Sequence, residues 1–431
     1  MTFNSIRNFF FGKPLDPLDS KVRQHIALAT FLAWIGLGAD GISSACYGPE
    51  ETFVALGNHS ELAIILALAT GITVFLIALS YNQIIEKFPS GGGGYKVAST
   101  LISPKAGLVA GGALVIDYVL TIAISIAAGV DALYSLVPDE YQMNKILLIS
   151  LLIIVLTYMN LRGMKESIKI LMPIFLGFII THIFLILYGI FGHAYGLEKI
   201  VPNAIEETKI TASEVGWLGG ALILFKAFSL GGGTYTGLEA VSNSISSLAE
   251  PKVKTAKATM LALATSLAFM AMGTILIYLL WEVEKVDGQT LNATAFLSIT
   301  EEWKIGDYYI SEPFVFIVLL FEALLLFVAA NTGFISGPNV LAAMASDRWL
   351  PMQFSSLSSR LVTRNGVIIM GVSAILCTML TGGVVHTLVI LYSINVFITF
   401  CLSLTGITLF NLKNRKLVAR GYRKILLPLC A

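Results

Sequence analysis

The stretch Gly36-Leu37-Gly38-Ala39-Asp40-Gly41-Ile42-Ser43-Ser44-Ala45-Cys46-Tyr47-Gly48-Pro49-Glu50 interrupts an apolar run that extends from about residue 26 to about residue 56. Four glycines and a proline are poor material for an unbroken helix. A carboxylate at mid-span is costly in hydrocarbon unless it faces protein, water or an ion. The stretch therefore predicts a discontinuous membrane helix with Asp40 at its break. Such a break frees backbone carbonyls and N–H groups, which are tolerated at membrane depth only where they line a cavity.

The whole chain supports a membrane setting. It has 431 residues, of which 56% are hydrophobic and only 13% charged, against about 25% charged in a soluble domain. An all-α polytopic membrane protein in a lipid bilayer is the consequence. The polar N-terminus and the long, interrupted first span do not read as a cleavable signal. A net charge of +1 argues against a nucleic-acid partner. Cys46, Cys377, Cys401 and Cys430 lie in or beside apolar runs without CxxC spacing, so neither a disulfide framework nor a metal site is expected.

Ten spans are predicted, at roughly 25–57, 61–86, 106–136, 145–161, 166–192, 215–248, 254–282, 313–346, 366–382 and 385–411. They divide the chain into an N-terminal arm (1–24), a first five-helix unit (25–192), an outer loop (193–214), a second five-helix unit (215–411) and a basic segment (412–431). Ile425 to Ala431 reads as the start of an eleventh span, with the chain expected to stop early. With the N-terminus inside, twenty-two of the 28 Lys and Arg residues fall in inner segments and five in outer ones. The positive-inside rule therefore places the N-terminus in the cytoplasm. The remaining one, Lys226, lies within a span.

A second break is predicted at Gly231-Gly232-Gly233-Thr234-Tyr235-Thr236-Gly237-Leu238-Glu239-Ala240. It lies five spans after the first, as two five-helix units of opposite orientation require. Paired broken helices in corresponding positions mark the central site of a transporter.

The polar residues near these breaks are oxygen donors. Asp40 and Tyr47 flank the first break, and Thr236 and Glu239 stand at the second. The third span carries Asp117, Tyr118, Thr121 and Ser125, the last three spaced along one helix face. The tenth carries Tyr392, Ser393 and Asn395. Oxygen ligands suit hard cations, and two carboxylates at the breaks favour a cation over an α-carboxylate. One of them alternatively carries a proton, because two acids in one desolvated site raise each other's affinity for it.

Structural readings of the same residues stand beside these. Asp40 alternatively caps the second half of its helix, and Glu239 alternatively serves as a hydrogen-bond hub. Thr121 and Ser125 alternatively bond their own i−4 carbonyls. Tyr47, Tyr118 and Tyr392 alternatively pack or gate. Asp117 alternatively pairs with Lys226, and Glu322 in the eighth span is a structural partner or a relay. Gly91-Gly92-Gly93-Gly94-Tyr95 lacks the Lys-Ser/Thr of a P-loop and reads as a tight inner loop. Gly107 and Gly111 form a small-xxx-small packing pair.

Two segments carry a resemblance. Phe88-Pro89-Ser90-Gly91-Gly92-Gly93-Gly94-Tyr95 follows the second span, and Ala227-Phe228-Ser229 through Gly237-Leu238-Glu239-Ala240 runs along the sixth. In these the chain resembles the amino acid–polyamine–organocation permease superfamily, which implies a LeuT-type fold of five plus five inverted repeats with discontinuous helices 1 and 6. Asp40 with Tyr47, Asp117-Tyr118 with Thr121 and Ser125, Thr236 with Glu239, and Tyr392 look most like the KimA-type branch of the KUP potassium importers. That resemblance implies a transporter rather than an enzyme: potassium–proton symport, with no cofactor beyond the transported K+ and H+. It also implies that Tyr47, Tyr118, Thr121, Ser125, Thr236 and Tyr392 hold potassium. Asp40 and Glu239, with Asp117 as a further candidate, would bind the ion or couple the proton. Members of this branch continue through two more membrane helices and a cytoplasmic cyclic di-AMP-binding domain that contributes to dimerisation. Cyclic di-AMP and a homodimer are thus implied partners, although this sequence carries neither the helices nor the domain. A proton-coupled amino acid permease and a flux-free membrane sensor are the competing expectations.

Overall fold

In lipid a backbone segment must satisfy its own N–H and C=O groups, so long apolar runs become helices. The computed structural model describes residues 29–89, 91, 93–138, 140, 142–163, 168–358, 362–414, 428 and 430. The arm expected over 1–24 and most of the basic segment lie outside the described residues.

The first span is two helices, α1 (Thr30–Ser43) and α2 (Gly48–Val54), joined by a 3₁₀ turn at Ser44–Cys46. The second is α3 (Ala63–Lys87), followed by the short α4 (Gly93–Leu101). The third, fourth and fifth are α5 (Pro104–Tyr134), α6 (Lys145–Leu161) and α7 (Ile168–Gly192). The sixth comprises the second half of α8 (Leu197–Leu230), a 3₁₀ turn at Gly231–Tyr235 and α9 (Leu238–Asn243). Then come α10 (Lys252–Leu280), the short α11 (Leu291–Thr300), a two-strand hairpin (Lys304–Ile305 with Tyr308–Tyr309), α12 (Ser311–Ser346), α13 (Arg364–Thr381) and α14 (Val385–Lys413). Among the described residues eight helical stretches are long and apolar enough to cross a membrane. The 17-residue α6 and the broken first span complete the expected ten. Exposed Leu68, Ile72, Leu151, Ile154 and Leu380 face outward, as lipid-facing residues must.

Four of the five spans in the first unit pack against their counterparts in the second. The second packs on the seventh, the third on the eighth, the fourth on the ninth, and the two broken spans cross. That pairing is the two-fold arrangement expected of inverted repeats.

Two boundaries differ from expectation. Residues 197–215, expected as outer loop, form the first half of α8, which turns at Gly216. Ile200, Ala204 and Thr211 are buried at helical spacing, and His59 bonds Glu207 (2.7 Å) and Thr211 (3.0 Å) across to the first span's end. The segment is a helix that lays the stripe Ile200, Ala204, Glu207 and Thr211 inward, with Glu198, Lys199, Glu206 and Lys209 exposed. The first break also begins later than expected. α1 runs through Gly36, Gly38 and Gly41 to Ser43, so Asp40 lies in its last turn rather than in the gap. Helical glycine costs about 1 kcal/mol. Here it permits contact: a Cβ on Gly41 would lie 3.3 Å from the Thr236 carbonyl oxygen.

At Gly237 the two broken spans approach backbone to backbone. The Gly237 φ is +79°, and a Cβ there would fall 2.3 Å from the Gly41 nitrogen. Gly237→Ala therefore destabilises the protein by ~2 kcal/mol or more. Gly112→Ala, at a site with no neighbouring atom within 4 Å, leaves it unchanged or firmer. Thermal unfolding of both variants in detergent checks the contrast.

Candidate functional site

The two breaks meet at mid-membrane. The Ser44 hydroxyl lies 2.5 Å from the Gly41 carbonyl and 2.9 Å from the Thr234 carbonyl. It thus ties one break to the other and satisfies carbonyls that the helix ends leave free. Ser43 and Thr236 bond the carbonyls of Asp40 and Gly233 in the same manner. Ser393 reaches the Leu230 carbonyl from α14 at 3.4 Å.

Around this crossing the structure gathers the residues singled out from the sequence. Asp40, Tyr47, Asp117, Tyr118, Thr121, Ser125, Thr236, Glu239 and Tyr392 are all buried. Asp40, Asp117 and Glu239 are electrostatic neighbours of one another. Tyr118 faces all three acids, and Tyr392 faces Asp117, Asp40 and Tyr47. A Cβ on Gly233 would touch the rings of Tyr47 (3.2 Å) and Tyr392 (3.5 Å), which places both rings over the second break. Tyr47 lies beside Thr236.

Hydrogen-bond directions follow from who holds a proton. Thr121 donates to the Asp117 carbonyl at 3.0 Å, the expected i−4 bond. Its oxygen then accepts from the Tyr392 hydroxyl, also at 3.0 Å. The i−4 reading of Thr121 holds, and its oxygen also meets Tyr392. Asp117 Oδ1 and Glu239 Oε2 are buried with no hydrogen-bond partner among the described residues. Bare carboxylate oxygens in a membrane interior are costly unless they meet a cation or a proton.

Several structural alternatives fall away. α2 carries no side-chain cap, so Asp40 does not cap it. Lys226 is exposed on α8 while Asp117 is buried, and the two form no ion pair among the described residues. Asn395 bonds the Leu391 carbonyl of its own helix. Glu322 sits elsewhere, paired with His182. Glu239 stands in the first turn of α9, where a helix start favours an acid.

Three site residues were not legible beforehand. Tyr81, from α3, is fully buried beside Glu239 and Asp117. Asn243 donates to the Tyr118 hydroxyl at 3.0 Å. Tyr235 lies 3.4 Å from Thr70. A lone Tyr or Asn in an apolar run gives no signal of direction. Asn243 also explains the glycine loop. A Cβ on Gly93, whose φ is +49°, would fall 1.4 Å from Asn243 Oδ1, so only glycine lets the loop close beneath the site. Tyr95 bonds Asp347 at 2.6 Å on the same side, the proximal face from which the first span rises. On the opposite, distal face a cavity of about 350 Å³ reaches down to Cys46 and Tyr47.

The amino acid permease family model matches residues 31–431. The chain belongs to that family. It is 33% identical over 421 residues to the potassium transporter KimA of Bacillus subtilis (strain 168), covering 96% of this permease and 66% of the relative. The permease thus spans just under two thirds of that relative's length. A Na+-coupled sialic acid symporter in a substrate-bound outward-open state shares the fold, with a TM-score of 0.51 at 14% identity over 94% of this chain and 80% of that one. A manganese transporter from Eremococcus coleocola gives a TM-score of 0.49 at 15% identity, over 97% and 87%. The permease is a multi-pass membrane protein of the LeuT type, KimA-like within its superfamily.

Tyr392→Phe removes the one hydroxyl that donates to Thr121 and lowers stability by about 1 kcal/mol. Thermal or denaturant unfolding of the purified permease, without any cargo, reads this out.

Proposed function

We propose that the permease imports potassium by proton symport through alternating access. One observation carries the reading. Asp40, Asp117 and Glu239 converge in a buried cluster with tyrosine and threonine hydroxyls, and no basic side chain pairs with these acids among the described residues. Carbonyls and hydroxyls together replace the water shell of an alkali ion. Tyr47, Tyr118, Thr121, Ser125, Thr236 and Tyr392 supply oxygens without charge, and the acids supply the sign. The likeness to a potassium transporter supports the same cargo.

Of the three acids, those not neutralised by the ion are the seats for the coupled proton. Asp117 and Glu239, each with an unpartnered oxygen, are the first candidates, with Asp40 beside them. Lys and Arg are concentrated on the proximal side, which supports a cytoplasmic N-terminus. Inward positive charge is then driven by about 2.3 kcal/mol per 100 mV. A homodimer and control by cyclic di-AMP remain proposals drawn from the KimA-type resemblance.

The family model's own description favours a second reading, a proton-coupled amino acid permease. That cargo brings an α-carboxylate, which three acids repel. Potassium-dependent proton uptake into liposomes separates the two. The first reading expects flux with potassium or rubidium and none with labelled amino acids. Asp40→Asn abolishes flux while the protein still purifies as a single species, and normal uptake removes Asp40 from the mechanism. Thr121→Ala weakens potassium affinity about tenfold, the equivalent of ~1.4 kcal/mol, in a titration of initial rates.

A further inference from the structure

A second buried acid lies outside this cluster. Glu322 on α12 and His182 on α7 are each almost wholly inaccessible. His182 Nε2 is 3.3 Å from Glu322 Oε2. Its Nδ1 is 3.0 Å from the Phe178 carbonyl oxygen and 3.3 Å from the Thr181 hydroxyl, whose own hydrogen goes to the Gly177 carbonyl at 2.8 Å. A carbonyl only accepts, so Nδ1 carries a hydrogen. Nε2 then either carries a second hydrogen, making an imidazolium beside a carboxylate, or offers a lone pair to a protonated carboxyl. In both cases the pair holds one proton more than a neutral imidazole and an ionised acid would. Without it, a lone pair would face a carboxylate in an apolar sandwich formed by the Phe178 and Phe296 rings, 3.8 and 5.2 Å from the imidazole.

The pair is wired to the first break. Asn292, on the short distal helix α11, donates to both Glu322 oxygens at 3.2 Å and to the Cys46 carbonyl at 3.3 Å. Tyr278 of α10 donates to Asn292 Oδ1, which turns the amide NH₂ toward the acid. Cys46 immediately precedes Tyr47 of the central site. Glu322 also borders the distal cavity, so water can reach it from that side.

Other charges around that cavity are mutually satisfied. Glu50 pairs with Lys285, Asp131 with Lys145 at 2.6 Å, and Glu51 with His386. Asp287 lines the rim. Among the described residues, the Cys46 thiol and the Tyr278 hydroxyl face Glu322 as further titratable groups.

We propose that His182 and Glu322 form a proton-binding site, filled from the distal cavity, whose occupancy decides whether Asn292 holds α11 down on the first break. One proton enters from cavity water and closes the Nε2–Oε2 bond. Its departure sets lone pair against carboxylate, drives Glu322 off His182, and draws Asn292, whose amide follows the ionised acid, away from the Cys46 carbonyl. The link to cargo movement rests on the transport reading above, whereas proton binding and the clamp do not.

Glu322→Gln tests this, because an amide keeps both bonds: its NH₂ donates to Nε2 and its oxygen accepts from Asn292. With the full chain in lipid vesicles, pH-difference infrared spectra show a carboxyl band in the wild type and in Asp40→Asn that is lost in E322Q. Hydrogen–deuterium exchange over Leu291–Thr300, compared at each pH, becomes about tenfold faster in the wild type than in E322Q once the proton has left. An unchanged band, or equal exchange at every pH, overturns the proposal. Should E322Q fail to fold, His182→Gln removes the imidazole half. The band must then vanish or move by about one pH unit or more, and a band that stays in place overturns the proposal equally. Absence of potassium flux with the band intact removes only the cargo assignment. Flux with the wild-type pH profile in E322Q removes only the coupling of this site to transport.

Discussion

The protein depends on one close crossing, where the backbone of the second break lies directly against α1. Gly237 and Gly41 touch without side chains between them, and Ser44 bridges to the Thr234 carbonyl. Freed backbone groups at membrane depth have no water to rescue them. Each break therefore supplies partners for the other, and neither half of the repeat is complete alone. Around this contact the second span pairs with the seventh, the third with the eighth and the fourth with the ninth.

Charge is then added to a place where charge is expensive. Asp40 reaches the crossing from the last turn of α1, Glu239 from the first turn of α9, and Asp117 from the middle of α5. Hydrogen bonds satisfy the hydroxyls around them but leave Asp117 Oδ1 and Glu239 Oε2 bare. Buried polar atoms left in this way are rare and mark function more often than error. Asn243 meets the glycine loop on the proximal side, and the distal cavity ends at Cys46 and Tyr47.

The sequence shows the breaks because glycine clusters and acids are unusual in apolar runs. It groups Tyr118, Thr121 and Ser125 because they fall on one helix face. It misplaces the start of the first break, since the α1 glycines serve contact rather than interruption. It also hides the distal part of α8, whose charges mask the buried stripe of Ile200, Ala204 and Thr211. Tyr81, Asn243, His182 and Asn292 carry no local pattern, because their roles come from partners more than a hundred residues away or on other helices.

Composition, spacing and the Lys/Arg distribution were thus enough for the membrane class, the ten spans, the two breaks and the list of oxygen donors. These properties are set by hydrocarbon thickness and helical period, which act locally along the chain. Which donors meet, which acids stay unpartnered, and that Glu322 belongs with His182 rather than with the central cluster were decided by tertiary structure alone. Those are distances between helices, and no periodicity within one helix encodes them.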